Sequence, residues 1–129
     1  MARNGMVQRM VVVDDSSIIR NRIVRLIEAG RIPDLKVVGM ARNGREALLL
    51  CQEQRPELVT MDITMPEMNG IECTENLMRL QPEVMILVVS ALNDKATAIE
   101  ALRRGALGFV CKPFTDEQLA AAINELLGG

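Results

Sequence analysis

The chain has 129 residues, 49% hydrophobic and 25% charged, with a net charge of −2; this suffices for one hydrophobic core but offers no basic field for nucleic acid or anionic membrane. There is no histidine, which excludes a Ser-His-Asp triad or His-ligated zinc within the chain, and with neither Trp nor Tyr the only aromatics are Phe109 and Phe114, too few for a base- or flavin-stacking platform. No apolar run approaches the roughly 20 residues of a membrane span, and Met1 to Gly5 lacks a secretory signal's apolar stretch, so a cytoplasmic protein with no membrane partner is expected.

Along the chain, apolar runs too short for helices alternate with segments of helical period. Met10 to Val13 reads as a strand buried on both faces, as in a parallel sheet. A helix follows from near Ser16, with Ile19, Ile23, Leu26 and Ile27 on one stripe and Gly30 as its stop. After a Pro33-containing loop, Lys36 to Met40 is the second strand, Asn43-Gly44 a turn signal, and Arg45 to Arg55 a helix with Ala47, Leu48 and Cys51 inward. Strand Leu58 to Asp62, a loop with Pro66, and a helix from about Gly70 to Leu80 repeat the pattern. Val84 to Val89 is the fourth strand, Asp94 to Arg104 a helix closed by Gly105, and Leu107 to Cys111 the fifth strand. The last helix, Asp116 to Leu127, has Thr115 and Gln118 at capping-box spacing. Cys51, Cys73 and Cys111 are odd in number and widely spaced, so they read as small buried hydrophobes rather than disulfides or metal ligands.

Five strands alternating with five helices predict an α/β fold, a doubly wound parallel five-stranded sheet in the flavodoxin-like order 2-1-3-4-5. Residues 1–129 are expected to form a single domain with its core from about 9 to 127. In such sheets sites form outside the carboxyl ends of the strands, where the order reverses between strands 1 and 3.

At those ends stand Asp14 and Asp15, Asp62, Ser90 and Lys112. With strands about 4.8 Å apart, the acid pair flanks Asp62 on one side and Ser90 lies on the other, while Lys112 starts about 10 Å away. The short hydroxyl sits on the near strand and the long amine on the far one, so residue length matches distance. Two unit charges about 5 Å apart repel by about 3 kcal/mol at an effective dielectric near 20. Three carboxylates therefore need cations, and Lys112 is one. A hard divalent ion, which takes a few oxygen ligands and keeps several waters, is the natural second. A carboxylate nucleophile beside a metal and an ammonium suits phosphoryl transfer, where catalysis is mostly positioning and charge neutralisation.

Asp14-Asp15, the segment Met61-Asp62-Ile63-Thr64-Met65-Pro66-Glu67-Met68-Asn69-Gly70, Ser90-Ala91 and Lys112-Pro113-Phe114 together resemble the signature of the receiver domains of bacterial two-component response regulators, CheY-like and of chemotaxis type. The resemblance runs from about Arg9 to Leu127. It implies that Asp62 is the phosphoacceptor, attacking the phosphohistidine of a sensor histidine kinase or phosphotransfer protein. Asp14, Asp15, Asp62 and the Thr64 backbone carbonyl would hold Mg²⁺ (or Mn²⁺), with Asp14 acting largely through a bound water. Lys112 would pair with Asp62 and then with a phosphoryl oxygen, from a cis-proline junction at Pro113. Ser90 would bond another phosphoryl oxygen and draw its loop inward, with Phe109 following as the switch residue and the strand 5 face meeting a downstream target. Thr64 and Leu92 would tune the lifetime of the acyl phosphate. The family is a phosphoacceptor that hydrolyses its own acyl phosphate rather than an enzyme acting on a separate substrate.

Taken singly, these residues have plainer readings. Asp14-Asp15 could be a helix cap and its solvated neighbour, Ser90 a strand end, Lys112 a surface lysine, Pro66 with Gly70 an ordinary turn, and Phe109 part of the core. Arg103 and Arg104 read as solvated. A haloacid dehalogenase-like phosphatase is the enzyme rival, but Asp62-Ile63-Thr64 lacks the second carboxylate of its Asp-x-Asp motif. A flavodoxin-like carrier would need a hydroxyl-rich phosphate loop and flavin-stacking aromatics. A receiver that works only as a binding module would not need the acidic set. A stand-alone regulator is favoured because the sequence stops at Gly128-Gly129; a domain cut from a longer methylesterase or transcription factor is the alternative.

Overall fold

The computed structural model describes residues 7–65, 68–91 and 94–128. In chain order they form β1 (Gln8–Val13), α1 (Ser17–Glu28), β2 (Leu35–Ala41), α2 (Gly44–Gln54), β3 (Leu58–Asp62), α3 (Gly70–Leu80), β4 (Met85–Ala91), α4 (Lys95–Arg103), β5 (Gly108–Lys112) and α5 (Asp116–Leu126). All strand pairs are parallel and the sheet order is β2-β1-β3-β4-β5, as the alternation of elements predicts.

The continuous apolar runs arise because the central strands are covered on both faces. Met10, Val12, Leu58, Leu87 and Val89 face one layer, where Ile23, Leu26 and Ile27 of α1 and Leu119 and Ile123 of α5 pack. Val11, Val13, Val59, Met61, Ile86 and Val88 face the other, against Ala47 and Cys51 of α2, Cys73 and Leu77 of α3 and Ala98 and Ala101 of α4. Burial pushes the thiols of Cys51 and Cys73 up to about 12, so both are inert at neutral pH, as their reading as small hydrophobes requires.

Helix starts follow local hydrogen bonding. Ser16, Asn43 and Asn69 each accept from the backbone N–H three residues on, and Thr115 with Gln118 closes a reciprocal capping box. Asn43-Gly44 is thus the cap and first residue of α2 rather than a free-standing turn. The ladders also outrun the apolar runs. Polar Gln8 and Arg9 pair with Leu35 and Lys36, and Ser90 and Ala91 pair with Cys111 and Lys112. Ser90 and Lys112 therefore lie within their strands instead of following them. Arg104 is exposed, as read, and bonds Glu75 of α3 and Glu100 of α4, each at 2.8 Å, tying the two helices together. Arg103 remains exposed, 3.8 Å from Glu100.

Candidate functional site

The carboxyl ends of β1, β3, β4 and β5 bring the predicted residues together. Asp14, Asp15 and Asp62 each place an oxygen within 4.8 Å of the others. Asp14 and Asp62 are buried and Asp15 is exposed, so the cluster opens to solvent on one side. Lys112 reaches across β4 to both buried acids, its Nζ 3.0 Å from Asp14 Oδ2 and 3.4 Å from Asp62 Oδ1. The pairing expected with Asp62 is present, but the shorter contact is with Asp14. The Lys112–Pro113 peptide is cis, as the resemblance implies.

Ser90 is 1% exposed, and its Oγ makes no hydrogen bond among the described residues. Asp62 pairs with Val89 in the β3–β4 ladder, so Ser90 stands one residue beyond the level of Asp62. The hydroxyls of Thr60 and Thr74 are also unpaired, but they lie within β3 and α3, away from the strand ends. A buried donor without a partner costs about 1–3 kcal/mol, and an incoming oxygen acceptor at this edge would recover that.

Electrostatics set the state of the cluster. Burial, followed by the charge of Asp14, raises the Asp62 carboxyl to about 7; Lys112 opposes the rise, and Asp15 adds to it. For Lys112, burial works against the charge, but the carboxylates of Asp14 and Asp62 outweigh it and hold the ammonium above its ordinary range. One ammonium among three carboxylates leaves a net negative site. Its all-oxygen donor set fits a hard divalent cation, which Asp14, Asp15 and Asp62 could hold.

This predicts a pH-dependent stability difference for Asp62→Asn. Because the folded protein holds the Asp62 proton up to about pH 7, whereas an unfolded aspartate loses it near pH 4, the folded state is progressively penalised as pH rises between those values. Above pH 7 the penalty is complete. Asp62→Asn is therefore expected to be more stable than the parent by about 2–4 kcal/mol at pH 8 without divalent ions. The gain should shrink to nothing below pH 4. Urea unfolding of both proteins across pH 4–8 measures it, and equal stabilities at pH 8 would contradict the electrostatic reading.

The remaining predicted residues are less central. Thr64 is exposed in the bend after β3. Leu92 lies outside the described residues. Phe109 is not core: it is 37% exposed on the edge strand β5, because α4 packs chiefly on β4 and leaves that face of β5 partly uncovered. It borders a groove of about 320 Å³ lined also by Leu107, Ala122 and Leu126.

Two residues that shape the site were assigned no role in it. Arg20 donates from Nη1 to the Asp14 carbonyl at 2.7 Å, and only the turn of helix after Asp14-Asp15 could have hinted at it. Gly70 is the first residue of α3, not part of an ordinary turn; its N–H donates to the Ile63 carbonyl at 2.7 Å. A Cβ there would overlap the Asp62 carbonyl oxygen and lie 2.6 Å from Ile63 Cα. A glycine eight residues after Asp62 was the available signal.

The family model for the response regulator receiver domain matches residues 10–124. The chain is 41% identical over 120 residues to the chemotaxis protein CheY of Thermotoga maritima, covering 92% of this chain and 97% of that one. It is 43% identical over 130 residues to a protein-glutamate methylesterase/protein-glutamine glutaminase of Alkalilimnicola ehrlichii, covering 94% of this chain but 33% of that protein. Among solved structures, the response regulator domain of Thermotoga maritima CheB superposes with a TM-score of 0.81 at 39% identity, over 95% of this chain and 94% of that one. A chain of the CheX–CheY–BeF3–Mg²⁺ complex from Borrelia burgdorferi gives 0.87 at 25% identity, over 95% of this chain and 91% of that one.

Proposed function

The chain belongs to the response regulator receiver family, and from that premise we propose that it is a phosphoacceptor switch in which Asp62 takes a phosphoryl group from the phosphohistidine of a sensor kinase or phosphotransfer protein. A carboxylate oxygen of Asp62 attacks phosphorus, the phosphorus–nitrogen bond breaks, and the imidazole of the donor leaves, giving an acyl phosphate. The observation that carries this reading is the joint placement of three carboxylates, the bridging ammonium of Lys112 and the unpaired buried hydroxyl of Ser90 at one edge of the sheet.

Asp14, Asp15 and Asp62, with the Thr64 carbonyl, would hold Mg²⁺ (or Mn²⁺), which when bound neutralises charge on the transferring phosphoryl group. The CheX–CheY complex solved with BeF3 and Mg²⁺ supports that choice. Lys112 then moves from carboxylate to phosphoryl oxygen, and Ser90 donates to a second oxygen. Shifting a domain from 1:99 to 99:1 takes about 5.5 kcal/mol. Two charge-assisted hydrogen bonds at roughly 1.5–3 kcal/mol each supply a good part of it. The exposed Phe109 and its groove beside β5 form the surface that responds and meets the target. Water attack on the acyl phosphate resets the switch, with Thr64 and Leu92 setting its lifetime.

We read the chain as a chemotaxis-type regulator of the cytoplasm on its 41% identity to the Thermotoga CheY, of which it spans 97%. A receiver joined to a methylesterase is the second reading, favoured by the 43% identity to such proteins, of which the chain spans about a third. Borohydride trapping tests the acceptor. The phosphorylated protein, reduced and digested, should carry homoserine in place of Asp62; homoserine at another position would refute the assignment.

A further inference from the structure

Asp14 is held by three hydrogen bonds and an ion pair. Its N–H donates to the Ala41 carbonyl at 3.0 Å, its Oδ1 accepts from the Ser16 N–H at 2.9 Å, its Oδ2 lies 3.0 Å from Lys112 Nζ, and its carbonyl accepts from Arg20 Nη1 at 2.7 Å. The fourth contact differs in kind, because the Asp14 carbonyl belongs to the peptide whose N–H is that of Asp15. Arg20 also holds this peptide from within α1, itself anchored by its N–H to the Ser16 carbonyl at 3.0 Å. Of the three acids, only Asp15 is exposed, and among the described residues no contact of its side chain outside the acid cluster fixes its direction.

We infer that Arg20 is a positioning residue for the divalent-cation site: its guanidinium locks the Asp14–Asp15 peptide and thereby aims the Asp15 carboxylate into the cluster. The inference rests on the metal-dependent phosphoacceptor reading and deepens it. A positive charge beside a cation site opposes metal binding by Coulomb repulsion, so two roles for Arg20 predict opposite signs. If Arg20 contributes only charge, its removal tightens metal binding. If it orients a ligand, removal weakens binding, and loss of an outer partner of a metal ligand typically costs about 10–100-fold in affinity.

The test is Mn²⁺ binding, followed by the electron paramagnetic resonance of free Mn²⁺, with parent, Arg20→Met and Arg20→Lys proteins. Binding weakened about tenfold in Arg20→Met, with partial recovery in Arg20→Lys, is the expected result. Equal or tighter binding in Arg20→Met overturns the inference while leaving the phosphoacceptor reading intact. Should Arg20→Met fail to fold, Arg20→Lys decides alone: binding at least threefold weaker than the parent supports the inference, and parental affinity overturns it. No Mn²⁺ binding by the parent protein overturns the metal reading itself and this inference with it.

Discussion

Lys112→Met is expected to slow phosphorylation of Asp62 by acetyl phosphate by about 10–100-fold at saturating Mg²⁺, while binding Mg²⁺ more tightly than the parent. The two effects have one origin. Lys112 Nζ sits between Asp14 and Asp62 and is the ammonium that reaches them among the described residues. Without it the three carboxylates repel one another more strongly, and a divalent cation gains what the ammonium no longer supplies. The developing charge on the phosphoryl group, however, loses a charge-assisted donor worth roughly 1.5–3 kcal/mol, which converts to that rate loss at about 1.4 kcal/mol per tenfold. Calorimetric Mg²⁺ titration and single-turnover phosphorylation measure the two arms. A variant that binds Mg²⁺ more weakly would mean that Lys112 positions the acids rather than neutralising them.

Gly70→Ala carries the largest expected cost in stability. The added methyl meets backbone, not a yielding side chain: the Asp62 carbonyl oxygen and Ile63 Cα. Either α3 moves away from β3 or the end of β3 bends, and both disturb the hydrogen bond from Gly70 N–H to the Ile63 carbonyl. Overpacking of this kind costs about 1–3 kcal/mol and sometimes more. The expected loss is roughly 3 kcal/mol, with a fall in Tm of about 10 °C. Because the displaced atoms belong to Asp62 and its neighbour, phosphorylation by acetyl phosphate should slow even at temperatures where the variant is folded. Thermal unfolding unchanged from the parent would show that the loop after β3 can give way freely.

Much of this site was legible because its residues lie at the ends of apolar runs whose order the crossover rules constrain. Asp62 terminates a strand buried throughout, and the lengths of the Ser90 and Lys112 side chains match their distances from it. The limits of legibility are equally physical. Boundaries slipped where polar residues join a ladder, as Gln8 and Arg9 do in β1, since backbone pairing does not depend on an apolar side chain. The outward position of Phe109 depends on where a short α4 comes to rest, which no local pattern of β5 encodes. Arg20 and Gly70 act on backbone atoms, a carbonyl and a close approach, and an arginine in an amphipathic helix or a glycine after an asparagine has the same local appearance elsewhere.

The central claim is that Asp62 accepts a phosphoryl group with the help of a divalent cation. Its most direct test is the intact mass of the protein after incubation with acetyl phosphate, with and without Mg²⁺, beside Asp62→Asn. The account predicts a labile gain of one phosphoryl group that requires Mg²⁺ and is absent from Asp62→Asn. An adduct that persists in Asp62→Asn, or no adduct and no consumption of the donor under any condition, would contradict it.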